Sequence, residues 1–116
     1  MILEGIVTSL NVAGELNIAP MGPIVDESLT WLHLRPFKTS TTYRNLTEHP
    51  QGVFHVVDDV LLLAKAAIGK LDAVPETFAA EKVQGGVLAS ACRWYEFEIE
   101  SLDATQDRTE IRARVV

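Results

Sequence analysis

The strongest constraint on the fold is the alternation in VLASACRWYEFEIE, residues 87–100. Successive side chains of an extended strand point to opposite faces, so Ala91, Arg93, Tyr95, Phe97 and Ile99 share one face, and Trp94, Glu96, Glu98 and Glu100 the other. One face is core and the other mostly wet. After the polar turn DATQD, Ile111, Ala113 and Val115 alternate with Glu110, Arg112 and Arg114. A hairpin sets those two arginines opposite the glutamate row as structural partners.

The rest of the chain extends this β pattern. Residues 2–10 read as a strand, and NVAGE turns into the apolar LNIAPMGPIV, giving a second hairpin. Pro20 and Pro23 give no ladder hydrogen bond, so the chain there must bulge, bend or lie at an edge, leaving backbone N–H groups free. LTWLHLRP is a third strand, with Leu32 and Leu34 on one face and Trp31, His33 and Arg35 on the other. A short helix follows from Thr39 to about Glu48. GVFHVVDD is a strand apolar enough to be buried on both faces. Asp58 or Asp59 can cap a helix over VLLLAKAAIG, Gly69 can end it, and VPETF reads as a further short helix. About six mostly antiparallel strands with short inserted helices predict a mainly β, Greek-key-like barrel, closed or split.

The bulk numbers bound the function. At 116 residues, with 47% hydrophobic and 22% charged content, the chain is a single globular domain over 1–116, not a disordered segment. Its net charge of −6 disfavours nucleic acid as a partner. The apolar run at 60–69 is interrupted by Lys65 and falls far short of the roughly 20 residues a membrane span needs, so no membrane partner is expected. The start MILEGIV lacks a basic region and a cleavage site, and the one cysteine, Cys92, cannot form an internal disulfide. A cytoplasmic location is expected. The apolar end at Val116 leaves open whether the sequence is truncated at its C-terminus.

Chemistry concentrates in RPFKTSTTYRNL, residues 35–46, where Arg35, Lys38 and Arg44 flank Thr39, Ser40, Thr41 and Thr42. A strand gives way here to a helix start, whose unpaired N–H donors and positive dipole end suit a phosphate. On composition alone, capping of a surface helix explains the hydroxyls equally well. His33 and His55 read as strand histidines and His49 as a solvated loop residue; with no ligand spacing among them, a metal site is not expected. Asp58 and Asp59 point to opposite faces, so capping explains them better than shared acid–base work. Arg93, charged on an inward face, either reaches the rim or meets an anion.

In this order and spacing, NIAPMGPIV, RPFKTSTTYRNL and GVFHVVDD resemble the FMN-binding split barrel of the flavin reductases, closest to an archaeal and bacterial group of unknown function. The likeness covers residues 2–116. It implies FMN as cofactor and a homodimer with FMN near its interface. It places the FMN phosphate on Lys38, Thr39, Ser40, Thr41 and Thr42, with Arg35 or Arg44 as charge partner. It sets the backbone of Pro20, Met21 and Gly22 against the ring edge, and Arg93 is kept as a further ligand contact. The function implied is an oxidoreductase passing hydride or electrons through FMN from or to a small molecule such as NAD(P)H; the alternative is a non-catalytic flavin or phospholigand module. No protein acid or base is assigned a catalytic role.

Overall fold

The computed structural model of the chain describes residues 1–57, 65 and 75–116. Among them run β1 (Gly5–Leu10), β2 (Leu16–Met21), β3 (Ile24–Val25), β4 (Trp31–Leu34), α1 (Thr41–Glu48), β5 (Gln51–Val56), β6 (Thr77–Ala79), β7 (Gly86–Leu88), β8 (Arg93–Asp103) and β9 (Glu110–Val115). Of the expected helix over 60–69 only Lys65 is described, and it is helical; the other residues and the caps Asp58 and Asp59 lie outside the described residues.

Seven strands form one antiparallel sheet in the order β2, β1, β5, β8, β9, β4, β3. β2 and β3 are its opposite edges, yet only Gly22 and Pro23 separate them in sequence. A link that short reaches about 10 Å. In a flat sheet the two edges would lie on the order of 29 Å apart, at about 4.8 Å per strand. The sheet therefore curls until its edges meet. Residues 1–3 stitch the seam: Ile2 bridges Ile24, the Leu3 N–H donates to the Pro23 carbonyl (3.1 Å) and the Val25 N–H to the Met1 carbonyl (2.8 Å). The prolines do what their chemistry requires, since Pro20 lies on an edge strand and Pro23 where the chain crosses from one edge to the other.

The inner face carries the core. Val7, Leu32, Leu34, Phe54, Phe97, Ile111 and Ala113 are buried together with Leu46 of α1, which packs against β1 and β2. Each of the larger apolar side chains among them contributes about 1.5–3 kcal/mol on full burial. As expected, Leu32 and Leu34 face inward on β4, while Trp31 and His33 are only partly buried. The predicted pairing of the terminal hairpin holds for Arg114, whose Nε donates to Glu100 at 3.0 Å. Arg112 instead lies over the Trp31 ring, 4.1 Å from its centroid.

A second layer, the β6–β7 hairpin, covers the outer face of β1, β5 and β8, which is why β5 is buried on both faces. Side chains pin its backbone. Thr8 Oγ1 donates to the Gly86 carbonyl (2.7 Å), the Leu88 N–H donates to His55 Nε2 (3.0 Å), and Gln51 Oε1 accepts the Gln84 N–H (3.1 Å). Glu96 accepts the N–H groups of Glu81 (2.9 Å), Lys82 (2.5 Å) and Val83 (3.2 Å), and the Trp94 indole N–H (3.3 Å).

That layer corrects four expectations. Thr77 and Phe78, the end of VPETF, form β6 together with Ala79 and not a helix, because Phe78 pairs with Val87 and meets the Trp94 ring edge-on at 5.4 Å. Tertiary pairing overrides the helix-start signal of Pro75. Residues 87–100 are not one strand: β7 ends at Leu88, a turn follows, and the Cys92 N–H bonds Val56 before β8 begins. Glu96, expected on a wet face, is 7% exposed beneath the hairpin loop. His49, expected to be solvated, is half-buried with Nε2 3.0 Å from the Gln84 carbonyl.

Candidate functional site

The start of α1 leaves backbone donors open beside cationic side chains. Ser40 sits in extended backbone as N-cap; its Oγ accepts the Tyr43 N–H (3.1 Å) while its hydroxyl donates to the Phe37 carbonyl (2.7 Å). The first N–H groups of a helix have no intrahelical partner, so this cap leaves those of Thr41 and Thr42 to other acceptors. No acidic residue lies in the first turn to offset the positive end of the helix. Lys38, Thr39, Thr41 and Arg44 are exposed around it. Hydroxyls, backbone N–H groups and two cations thus lie along one exposed stretch, residues 38–44, a donor set of the kind that suits an anion.

Thr42 plays a different part. It is buried, and its Oγ1 accepts a hydrogen bond from Asn17 Nδ2 of β2 at 3.2 Å. One turn on, Asn45 Nδ2 donates to Ser9 Oγ of β1 at 3.2 Å. These two bonds seat the helix start on the edge of the sheet. From Asn17, β2 runs four residues to Met21, about 13 Å at 3.3 Å per residue. The start of α1 and the backbone of residues 20–22 thus lie toward opposite ends of one edge strand. Pro20 and Gly22 are exposed, and Met21 is partly buried against the core.

The segment before the helix is fixed by the loop preceding β9. The Lys38 N–H donates to the Asp107 carbonyl (2.8 Å), and the Pro36 carbonyl accepts from both the Thr109 N–H (3.0 Å) and its hydroxyl (2.5 Å). Arg108 Nε donates to the Arg35 carbonyl (3.0 Å). The Arg35 side chain faces Glu110 (3.7 Å), which also lies 3.6 Å from His33 Nε2. Arg35 thus has a carboxylate beside it already.

Arg93 is placed apart from the cradle. It pairs with Val56 at the end of β5, and the registers of β1 with β2 and β5 put that level with Gly5 and Met21. It is exposed at the barrel end opposite α1. His55 is fully buried, with Nδ1 donating to the Ile6 carbonyl (3.0 Å) and Nε2 accepting from Leu88. Burial away from water pushes its pKa down to about 4, against a smaller opposing effect of the Ile6 carbonyl, so it is a neutral structural group. For Glu96 burial alone would raise the pKa, but the N–H groups of Glu81 and Lys82, the Trp94 indole and the Val83 N–H together hold it below the usual carboxylate range. Among the described residues no cluster of three His, Cys, Asp or Glu could hold a metal. None of their helices is long and apolar enough to cross a membrane.

Sequence reasoning missed Asn17, Ser9, Asn45 and Arg108. The available signal was Asn17, a polar residue at an inward position in the alternation of LNIAPM.

Comparison with known proteins adds the following. The family model described as the N-terminal domain of a protein of unknown function (DUF447) matches residues 3–116. No curated protein matches the chain. Among solved structures, the FMN-bound protein of that family from Methanosarcina mazei superposes with a TM-score of 0.75 at 26% identity, over 99% of this chain and 57% of that one. Nitrilotriacetate monooxygenase component B from Bacillus cereus gives 0.80 at 22% identity, over 100% and 68%. Flavoredoxin from Methanosarcina acetivorans gives 0.83 at 13% identity, over 99% and 66%. The chain thus spans little more than half of the Methanosarcina mazei protein. The fold is that of the FMN-binding split barrels.

Proposed function

The chain belongs to the family described as the DUF447 N-terminal domain, and from that premise we propose that it binds FMN and passes hydride or electrons through it. The observation that carries this reading is the Asn17–Thr42 bond, which sets a capped, cation-flanked helix start beside the free edge of β2. Support comes from the family member of known structure, described as FMN-bound. Bound flavin supplies the redox chemistry. The residues fit such a group: Lys38, Thr39 and Thr41 hold the phosphate, with Arg44 adding charge, Ser40 keeps the helix start in shape, and Thr42 fixes it to β2. The backbone of Pro20, Met21 and Gly22 orients the ring. Arg35, already facing Glu110, adds charge at longer range, and Arg93 serves the far rim.

The same reading makes the protein a cytoplasmic homodimer with its ligand near the interface. Met1, Ile2 and Ile24 are 69%, 64% and 41% exposed along the seam beside Gly22, an apolar strip that a second copy would cover. Reconstitution with FMN followed by rapid mixing with NADH or NADPH tests the activity. Bleaching of the flavin absorbance is the expected result. Flavin that binds but stays oxidised with both donors leaves the non-catalytic module, and a protein that takes up no FMN refutes both.

A further inference from the structure

Gly22 has no side chain, and the carboxylate of Glu4 approaches the place one would take. A Cβ on Gly22 would stand 3.6 Å from Glu4 Oε1 and 3.3 Å from Ile2 Cγ2. The strand register explains the approach. Gly5 lies opposite Met21, and the Leu3 N–H donates to the Pro23 carbonyl at 3.1 Å, so Glu4 lies opposite Gly22. Hydrogen-bonded and non-hydrogen-bonded pairs alternate along an antiparallel ladder, which makes Glu4 and Gly22 a non-hydrogen-bonded pair, the kind whose side chains come closest. The N–H and carbonyl of Gly22 therefore point away from β1, toward the edge of the sheet that β2 forms. Glu4 thus reaches from the β1 side over Gly22 to that edge.

Packing gives this carboxylate no partner. Glu4 is exposed, and no hydrogen bond or ion pair joins its side chain to any described residue. The N-terminal ammonium of Met1 is directed at the Val25 carbonyl (3.5 Å). Arg93 stands at the same barrel end but three strands from β2, on β8. The neighbour of Glu4 over Gly22 is the apolar Ile2, 64% exposed. A charged acceptor above a bare backbone N–H, with an apolar surface beside it, complements a flat ring edge that carries both an N–H and a carbonyl. The pyrimidine edge of a flavin carries both.

We propose that Glu4 contacts the ring edge of the bound flavin and sets how readily that ring takes up electrons. This rests on the flavin reading above, which puts the backbone of residues 20–22 against the ring. The carboxylate accepts an N–H of the ring edge. Its charge then opposes reduction, because a hydride brings two electrons and one proton and so adds one negative charge beside the one already there. At about 4 Å, repulsion between two unit charges changes an equilibrium constant about fivefold even in water, and more near a protein surface.

The test is the midpoint potential of FMN bound to the purified chain and to its Glu4→Gln, Glu4→Lys and Glu27→Gln variants, read by absorbance against a reference dye at low ionic strength. Glu4→Gln should raise the potential by about 20 mV or more, the two-electron equivalent of about fivefold. Glu4→Lys should raise it further. Glu27, exposed in the turn after β3, controls for surface charge at large, and Glu27→Gln should shift the potential less than half as much. A merely structural Glu4 would move the melting temperature and not the potential. Unchanged potentials in both Glu4 variants, or an equal shift in Glu27→Gln, overturn the contact and leave FMN binding intact. Failure of the unaltered chain to bind FMN overturns the flavin reading itself, and the contact with it.

Discussion

Asn17 Nδ2 donates to Thr42 Oγ1 across 3.2 Å, joining the edge strand β2 to the first turn of α1, which follows β4 in sequence. Nearly everything proposed about the site depends on that joint. A partly buried neutral hydrogen bond contributes about 0.5–1.5 kcal/mol. Asn17→Ala should therefore lower stability by about 1 kcal/mol in a urea melt, and lower FMN affinity by a few-fold in a fluorescence titration. Lost stability with unchanged FMN affinity would show that the joint does not position the ligand.

His55 makes stability depend on pH. In the folded chain its pKa is about 4, whereas the unfolded ring titrates near its ordinary value of 6.5. Between those values the unfolded state binds the extra proton. Stability is thus fully present above about pH 6.5 and declines as pH falls toward about 4, by on the order of 3 kcal/mol. His55→Gln should flatten urea midpoints across that window. An unaltered slope would locate the titrating group elsewhere.

Glu96 holds the hairpin loop through three backbone N–H groups and an indole. Glu96→Ala leaves those donors without an acceptor and should cost about 1–3 kcal/mol. Hydrogen exchange provides the local readout. The amides of residues 81–83 should lose protection first, while those of β5 and β8 remain protected.

Gly5 lies where a Cβ would overlap the His55 carbonyl oxygen, a backbone atom with no room to shift. Gly5→Ala should force β1 and β5 apart and lower the melting temperature by well over 10 °C, given about 4–8 °C per kcal/mol in a domain of this size. Gly14→Ala, in an open turn with φ 81°, should cost far less. Circular dichroism melts of both variants check the contrast.

What was legible in the sequence was whatever periodicity and turn chemistry encode. Leu32 and Leu34 alternate inward, a run of hydroxyl residues marks a helix start, and two prolines mark an edge. What was not legible depended on layers meeting. Glu96 looked wet because the loop that buries it is fifteen residues upstream in register terms that no local pattern records. Thr77, Phe78 and Ala79 became a strand only because Gly86, Val87 and Leu88 were there to pair with them. Residues 38–42 were singled out by the resemblance, but the side chains that seat the helix start were not. Asn17, Asn45 and Ser9 act across 25 and 36 residues of chain, and Arg108 reaches its partner across 73.

The most direct test compares FMN with riboflavin, which lacks only the phosphate, on the unaltered chain and on the Lys38→Ala, Thr41→Ala double variant. Each hydrogen bond to a charged group is worth about 1.5–3 kcal/mol, so the variant should bind FMN at least about tenfold more weakly. Its affinity for riboflavin should hardly change. Equal weakening of both ligands, or of neither, would contradict a phosphate cradle at the start of α1.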